Sequence, residues 1–221
     1  MWTPAEQDSI RDAMKASMEH LWRTSEIYLE KPSVQTELAN VLHYLRQVFP
    51  EVLPWVERRL HAAWEACGFD ARLLDDPTHR PALSFGNWVG GDRDGHPLVT
   101  AGFTRHTLDT LRAEALALLR ERLTGMAGRL SLSDSHQSPP AELGQRIAEM
   151  ASHLGETGAA AVGRNPREPW RQHVNLMLAA LPRPGDAIPH EGAYREADQL
   201  IDDLDLLFGS LVEVGAQRIA H

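Results

Sequence analysis

Apolar residues recur along most of this chain in steps of three and four, the spacing of one helix face. The first run is Ile10, Met14, Met18, Leu21, Trp22 and Ile27. Thr3-Pro4-Ala5-Glu6 precedes it: Thr3 suits an N-cap, Pro4 the first helical position, and Glu6 the return bond of a capping box. This helix is expected to run to about Leu29 and to stop before Lys31-Pro32, because a residue preceding proline is pushed out of the helical region. Ser33 can cap a second helix carrying Val34, Leu38, Val41, Leu42, Leu45 and Val48. Pro50 and Pro54 predict a break or kink there, after which Trp55, Val56, Leu60, Ala63 and Trp64 resume the pattern until Gly68.

Residues 70–82 read as a proline-punctuated loop. Leu83, Phe85, Trp88 and Val89 then open like a short buried strand that passes into glycine-rich sequence. Thr100 or Thr104 can cap a helix bearing Leu108, Leu111, Ala115, Leu118, Leu119 and Leu123, fading near Gly125 or Gly128. Residues 131–140 are a polar linker, 140–154 a helix, and 155–169 a further loop. Glu168-Pro169-Trp170 starts a short helix to about Leu181, a proline-rich connection follows, and a last helix runs from about Ala193. Its apolar stripe is Leu200, Ile201, Leu204, Leu207, Phe208, Leu211 and Val214, with Asp198, Asp202, Asp203 and Asp205 as its wet face. The fold class is therefore mainly α, with long helices and one strand-like segment near 83–89. That segment lacks any evident pairing partner in the chain.

Composition narrows the function classes. A hydrophobic share of 43% and a charged share of 24% are those of an ordinary globular protein. The formal net charge of -9, with no Lys/Arg-rich run, argues against nucleic acid as a partner. No apolar run approaches the ~20 residues that span a bilayer. The N-terminal stretch is too polar for a signal peptide, so no membrane partner and a cytoplasmic location are expected. Cys67 is the one cysteine and can form neither an internal disulfide nor a cysteine cage. Glu149 and His153, four apart on a helix, could share a metal but read better as a solvated face. His20, His43, His61 and His173 lie in helices with no partner motif.

The distinctive segment is FGNWVGGDRDGHPLVT, residues 85–100. Gly86, Gly90, Gly91 and Gly95 permit backbone conformations barred to other residues. Asp92, Arg93 and Asp94 put three charges beside buried-looking residues, where they either satisfy one another as a structured turn or clamp an anion. The spacing fits neither an EF-hand, which needs glycine at its sixth position, nor a P-loop, since no Gly-Lys-Ser/Thr follows. It does not match the dinucleotide fingerprint of three spaced glycines either.

This segment resembles the Trp-x-Gly-Gly-Asp-Arg-Asp-Gly-Asn-Pro signature of phosphoenolpyruvate carboxylases, with Asn87 where the family usually has serine and His96 where it usually has asparagine. LWRTSEIYLEKPSVQTEL (21–38) resembles the family's Arg-Thr-Asp-Glu-Ile-Arg stretch, and the helix after Thr100 and the segment around Trp170 follow in the right order. The resemblance implies that 1–221 is a single mostly helical segment of such a protein: a helical hairpin at 1–69, signature strand and loop at 83–100, helices at 101–221. It implies that 83–89 is a barrel strand of the family's β/α barrel, with Gly90–Pro97 near the active site. It also implies that Trp88, Gly90, Gly91, Asp92, Arg93 and Asp94 belong to the substrate pocket, Trp88 beside the reacting methylene, with none of them catalytic.

The family converts phosphoenolpyruvate and bicarbonate to oxaloacetate and phosphate with Mg²⁺, as a carbon-fixing lyase feeding the tricarboxylic acid cycle. Several of its parts are missing from this chain. None of the eleven histidines is followed by Pro-Thr-Glu, the setting of the family's catalytic histidine. The mobile glycine–arginine loop and the metal-binding acids have no counterpart, so no metal ligand is identified. Tyr28 and Ser25 replace an arginine and an aspartate near an effector site. The expectation is a part of a carboxylase, inactive as this chain alone, partnered by the remainder of the barrel or by further copies of itself. The alternative is a stand-alone, non-catalytic helical interaction or regulatory module. A self-sufficient domain must cover Phe85 and Trp88; a part of a larger enzyme leaves them open.

Overall fold

The structure is a computed structural model and describes residues 3–23, 32–74, 79, 83–92, 97–186, 188–216 and 219. Helix α1 (Pro4–Arg23) starts as its sequence dictates, with the Thr3 N–H donating to Glu6 Oε2 (2.7 Å) and the Glu6 N–H to Thr3 Oγ1 (3.3 Å). None of its residues is buried. The expected extension to Leu29 lies outside the described residues.

Helix α2 (Val34–His43) is capped by Ser33, whose hydroxyl accepts the Thr36 N–H. It does not break at the prolines. A π-helical turn (Tyr44–Val48) joins it to α3 (Phe49–Ala66), which contains Pro54. The wider turn lets the Phe49 N–H reach the Tyr44 carbonyl just before Pro50. Pro54 has no N–H to offer the carbonyl four residues back, that of Pro50. The Arg122 guanidinium of the next long helix donates to that carbonyl instead, at 3.3 Å.

That long helix, α4 (Ala101–Arg129), is capped by Thr100, and α5 (Ala141–His153) follows. The loop expected at 155–169 is largely helix α6 (Gly155–Gly163). Gly158 allows α6 to approach α5 closely, since a Cβ there would lie 2.8 Å from Ala151 Cα. Helices α7 (Pro169–Ala180) and α8 (Ala197–Glu213) complete the chain. The linker 131–140 is tied down: the Asp134 N–H donates to the Arg167 carbonyl (2.9 Å), and the Gln137 amide to that of Val214 (2.9 Å).

The core divides unequally. The larger part lies among α4–α8 around α7, whose Trp170, His173, Val174, Leu176 and Met177 are fully buried. No residue of α7 is exposed, the position of a helix at the centre of a bundle. Arginines stitch α4 to α7 in both directions. Arg120 of α4 donates to the Leu181 and Pro182 carbonyls beyond the end of α7 (3.1 and 2.9 Å), and Arg171 of α7 to the Ala127 carbonyl near the end of α4 (2.6 Å). The smaller cluster, Val34, Leu38, Val89 and Val99, joins α2 to the signature segment. Arg46 reinforces this region from the π turn by reaching Glu114 and Glu121 of α4 (3.3 and 3.0 Å).

The strand-like segment near 83–89 is not a strand. No strand or sheet occurs among the described residues, and residues 83–88 adopt no regular element. An extended segment becomes a strand only when its N–H and C=O groups pair with a neighbour. Here the local bonds go to side chains and to a turn instead.

Candidate functional site

The signature segment rests on α2 and α4 and presents one residue outward. Val89 and Gly90 are buried, while Trp88 between Asn87 and Val89 is 77% exposed. A tight turn sets this alternation. The Trp88 carbonyl accepts the N–H groups of Gly91 and Asp92, both at 3.0 Å. Gly90, with φ +80°, occupies the position that a type II turn reserves for glycine. Gly90 also presses on Thr107 of α4: a Cβ there would collide with the Thr107 hydroxyl and lie 2.8 Å from its Cβ. That hydroxyl is buried and has no hydrogen-bond partner among the described residues. Gly91 is different, being exposed, with ordinary contact (3.6 Å) as the nearest approach to a Cβ.

Of the sequence-predicted pocket residues, the structure thus brings Trp88, Gly90, Gly91 and Asp92 into one turn. Arg93 and Asp94 lie outside the described residues, as do His96, Ser25 and Tyr28. Leu83, Phe85 and Leu98 are all substantially exposed, and Phe85 stacks on Phe49 of α3 with ring centroids 4.1 Å apart. No group of three His, Cys, Asp or Glu side chains among the described residues is placed to hold a metal ion. The described residues thus offer no three-ligand set for the divalent metal that the resemblance implies, and Glu149 of α5 is engaged by Gln145 (2.9 Å).

A second polar cluster escaped the sequence reading. Asp203, expected on the wet face of α8, is 1% exposed. Its carboxylate receives Arg146 Nε (2.7 Å) and Nη2 (3.0 Å) from α5, the Tyr194 hydroxyl (2.7 Å), and His173 Nε2 of α7 (3.3 Å). Burial alone would raise the Asp203 pKa. The donors His173, Arg146 and Tyr194 outweigh it and hold the carboxyl well below the usual range. Tyr194 is pushed far above its ordinary value, first by burial and then by its bond to Asp203. Both oxygens of the carboxylate are used, so the cluster fastens α5, α7 and α8 together. The available signal was its place at Leu200, Asp203, Leu207, Ser210 and Leu211, the buried stripe of α8.

Comparison with known proteins bears on the signature turn. The sequence model of phosphoenolpyruvate carboxylase matches residues 1–221. Phosphoenolpyruvate carboxylase of Methylorubrum extorquens is 32% identical over 225 residues, covering 99% of this chain and 24% of that protein. That of Nocardia farcinica is 32% identical over 98% of this chain and 23% of its own length. Phosphoenolpyruvate carboxylase 1 of Chlamydomonas reinhardtii is 30% identical over 95% of this chain and 24% of its own. The chain thus spans about a quarter of the length of the curated relatives it matches. No helix among the described residues is long and apolar enough to cross a membrane.

Proposed function

The chain belongs to the phosphoenolpyruvate carboxylase family, and from this premise we propose that it serves as one segment of a phosphoenolpyruvate carboxylase. In that enzyme, phosphoenolpyruvate and bicarbonate become oxaloacetate and phosphate in the cytoplasm. This chain contributes a helical layer and the Trp88 turn as one wall of the substrate pocket, and it is inactive alone. Its partner is the remaining three quarters of the enzyme, which brings the catalytic histidine, the metal ligands and the glycine–arginine loop.

The observation that carries this reading is the exposure of Trp88, at 77%. A self-sufficient domain has every reason to cover a large indole and its apolar neighbours, because an exposed patch of this kind invites association. Here most large hydrophobic residues left exposed among the described residues precede residue 100, from Ile10 of α1 to Leu98 beside the turn. The well-filled core lies on the other side, among α4–α8. That polarity favours a segment of a larger enzyme over a stand-alone module.

Five arginines that the fold commits elsewhere are not offered to an anionic substrate. Phosphate and bicarbonate need several cations and a metal to neutralise charge as they react. Arg46, Arg122 and Arg146 are engaged in ion pairs with carboxylates, and Arg120 and Arg171 with backbone carbonyls at helix ends.

The test is association. The chain is mixed with the Methylorubrum extorquens carboxylase from which the matching quarter has been deleted, and the mixture is examined by size exclusion and thermal melting. A one-to-one complex that melts above either part is expected. A chain that stays a monodisperse, cooperatively melting monomer in the presence of that partner would contradict the proposal.

A further inference from the structure

Asn87 precedes the exposed tryptophan and holds the residue that follows it. Its Oδ1 accepts the Val89 N–H at 2.9 Å, and its Nδ2 donates to the Val89 carbonyl at 3.3 Å. One side chain thereby secures both backbone polar groups of Val89. The Val89 side chain is sunk in the small cluster with Val34, Leu38 and Val99. On the far side, the Trp88 carbonyl is held by the Gly91 and Asp92 N–H groups. Gly90 is seated on Thr107. The backbone of Trp88 is therefore fixed from both directions while its indole projects from the surface.

We propose that Asn87 is a positioning residue for Trp88, acting through the Val89 backbone. An indole as exposed as this one otherwise swings with its backbone, and the amide bracket holds that backbone before any partner or substrate arrives. The geometry requires an acceptor and a donor on separate atoms, spaced to reach the N–H and the C=O of the residue two positions on. An amide provides both. The serine that the family usually carries at this position offers one oxygen on a shorter stem, so it can replace the N–H bond but not the pair. Pre-setting the indole matters for a pocket wall because a reacting group must be met in one geometry. This consequence for catalysis rests on the proposed function, whereas the positioning itself is a property of the chain.

The experiment is ¹⁹F NMR of the full chain labelled with 5-fluorotryptophan. The Trp88 line is assigned by its loss in Trp88→Phe, and the line of buried Trp170 by its insensitivity to replacing H₂O with D₂O. In Asn87→Ala the Trp88 line is expected to move towards the free-amino-acid position and to lose its dispersion, with the Trp170 line unmoved. In Asn87→Ser it is expected to fall between Asn87→Ala and the wild type. A Trp88 line in Asn87→Ala that superimposes on the wild type would overturn the proposal. If Asn87→Ala disturbs Trp170 as well, Asn87→Ser decides by the same criterion: a shift confined to Trp88 supports positioning, and an unmoved Trp88 line overturns it. Failure of the pocket reading looks different. The Trp88 line then responds to Asn87 yet stays unmoved when phosphoenolpyruvate and Mg²⁺ are added to the chain assembled with its complementary three quarters.

Discussion

Gly90 and Thr107 are pressed together so closely that no side chain fits between them; a Cβ on Gly90 would stand 2.8 Å from Thr107 Cβ. The backbone there also lies at φ +80°, where an L side chain is strained. Gly90→Ala is expected to cost about 2 kcal/mol or more, combining overpacking with backbone strain. Gly91→Ala, which meets only ordinary contact, should stay within about 1 kcal/mol of the wild type. Urea unfolding of the two variants checks the contrast. Any loss caused by Gly91→Ala should emerge only in the assembled enzyme, where something else approaches that backbone.

The Thr107 hydroxyl is buried and has no partner among the described residues. Replacing it with a methyl group removes a polar atom that gains nothing from its surroundings. Thr107→Val is expected to be neutral or to stabilise by up to about 1 kcal/mol. Thermal melting tests this, and a clear destabilisation would mean that the hydroxyl has a partner in solution.

Asp203 is the polar keystone of the helical body. Asp203→Asn leaves the part-exposed Arg146 facing a neutral group, and since only one side of this pair is buried the loss should be about 2 kcal/mol, below that of a fully buried pair. Tyr194→Phe removes one donor of the four bonds and should cost about 1–2 kcal/mol. Chemical denaturation of both variants gives the comparison.

The depressed pKa of Asp203 also fixes the direction of a pH effect. A carboxyl whose folded pKa lies below its unfolded value stabilises the fold fully above the unfolded value, about 4. That contribution is lost as pH falls through the interval down to the folded value. Stability should therefore be insensitive to Asp203 near neutrality and decline below about pH 4, and Asp203→Asn should flatten that decline. Urea midpoints between pH 7 and pH 3 for wild type and variant measure it.

These residues show where sequence reading succeeds and where it stops. Thr3, Ser33 and Thr100 announced their helices because a cap is a local device. Trp88 and its glycines stood out because their order along the chain is itself the signal. Asp203 looks solvated in the sequence because Asp202 and Asp205 flank it, whereas its carboxylate is met by Arg146, 57 positions away. Continuity through Pro54 was illegible for the same reason, since Arg122 of another helix supplies the missing donor. The strand expected near 83–89 failed on the converse point, as a strand needs a pairing partner and the described residues contain none. Helix α6 was hidden by its glycines, although the Ala-rich run at 159–161 favours helix and Gly158 lets it pack on α5.

The central proposal is that this chain is one working part of a carboxylase and needs the rest of that enzyme for turnover. The most direct measurement is oxaloacetate formation from phosphoenolpyruvate and bicarbonate with Mg²⁺, by the chain alone, by the Methylorubrum extorquens carboxylase lacking its matching quarter, and by the two together. The account predicts no turnover from either part and measurable turnover from the mixture, reduced by Trp88→Ala. Oxaloacetate from the chain alone, or a stable complex of the two parts that remains inactive, would contradict it.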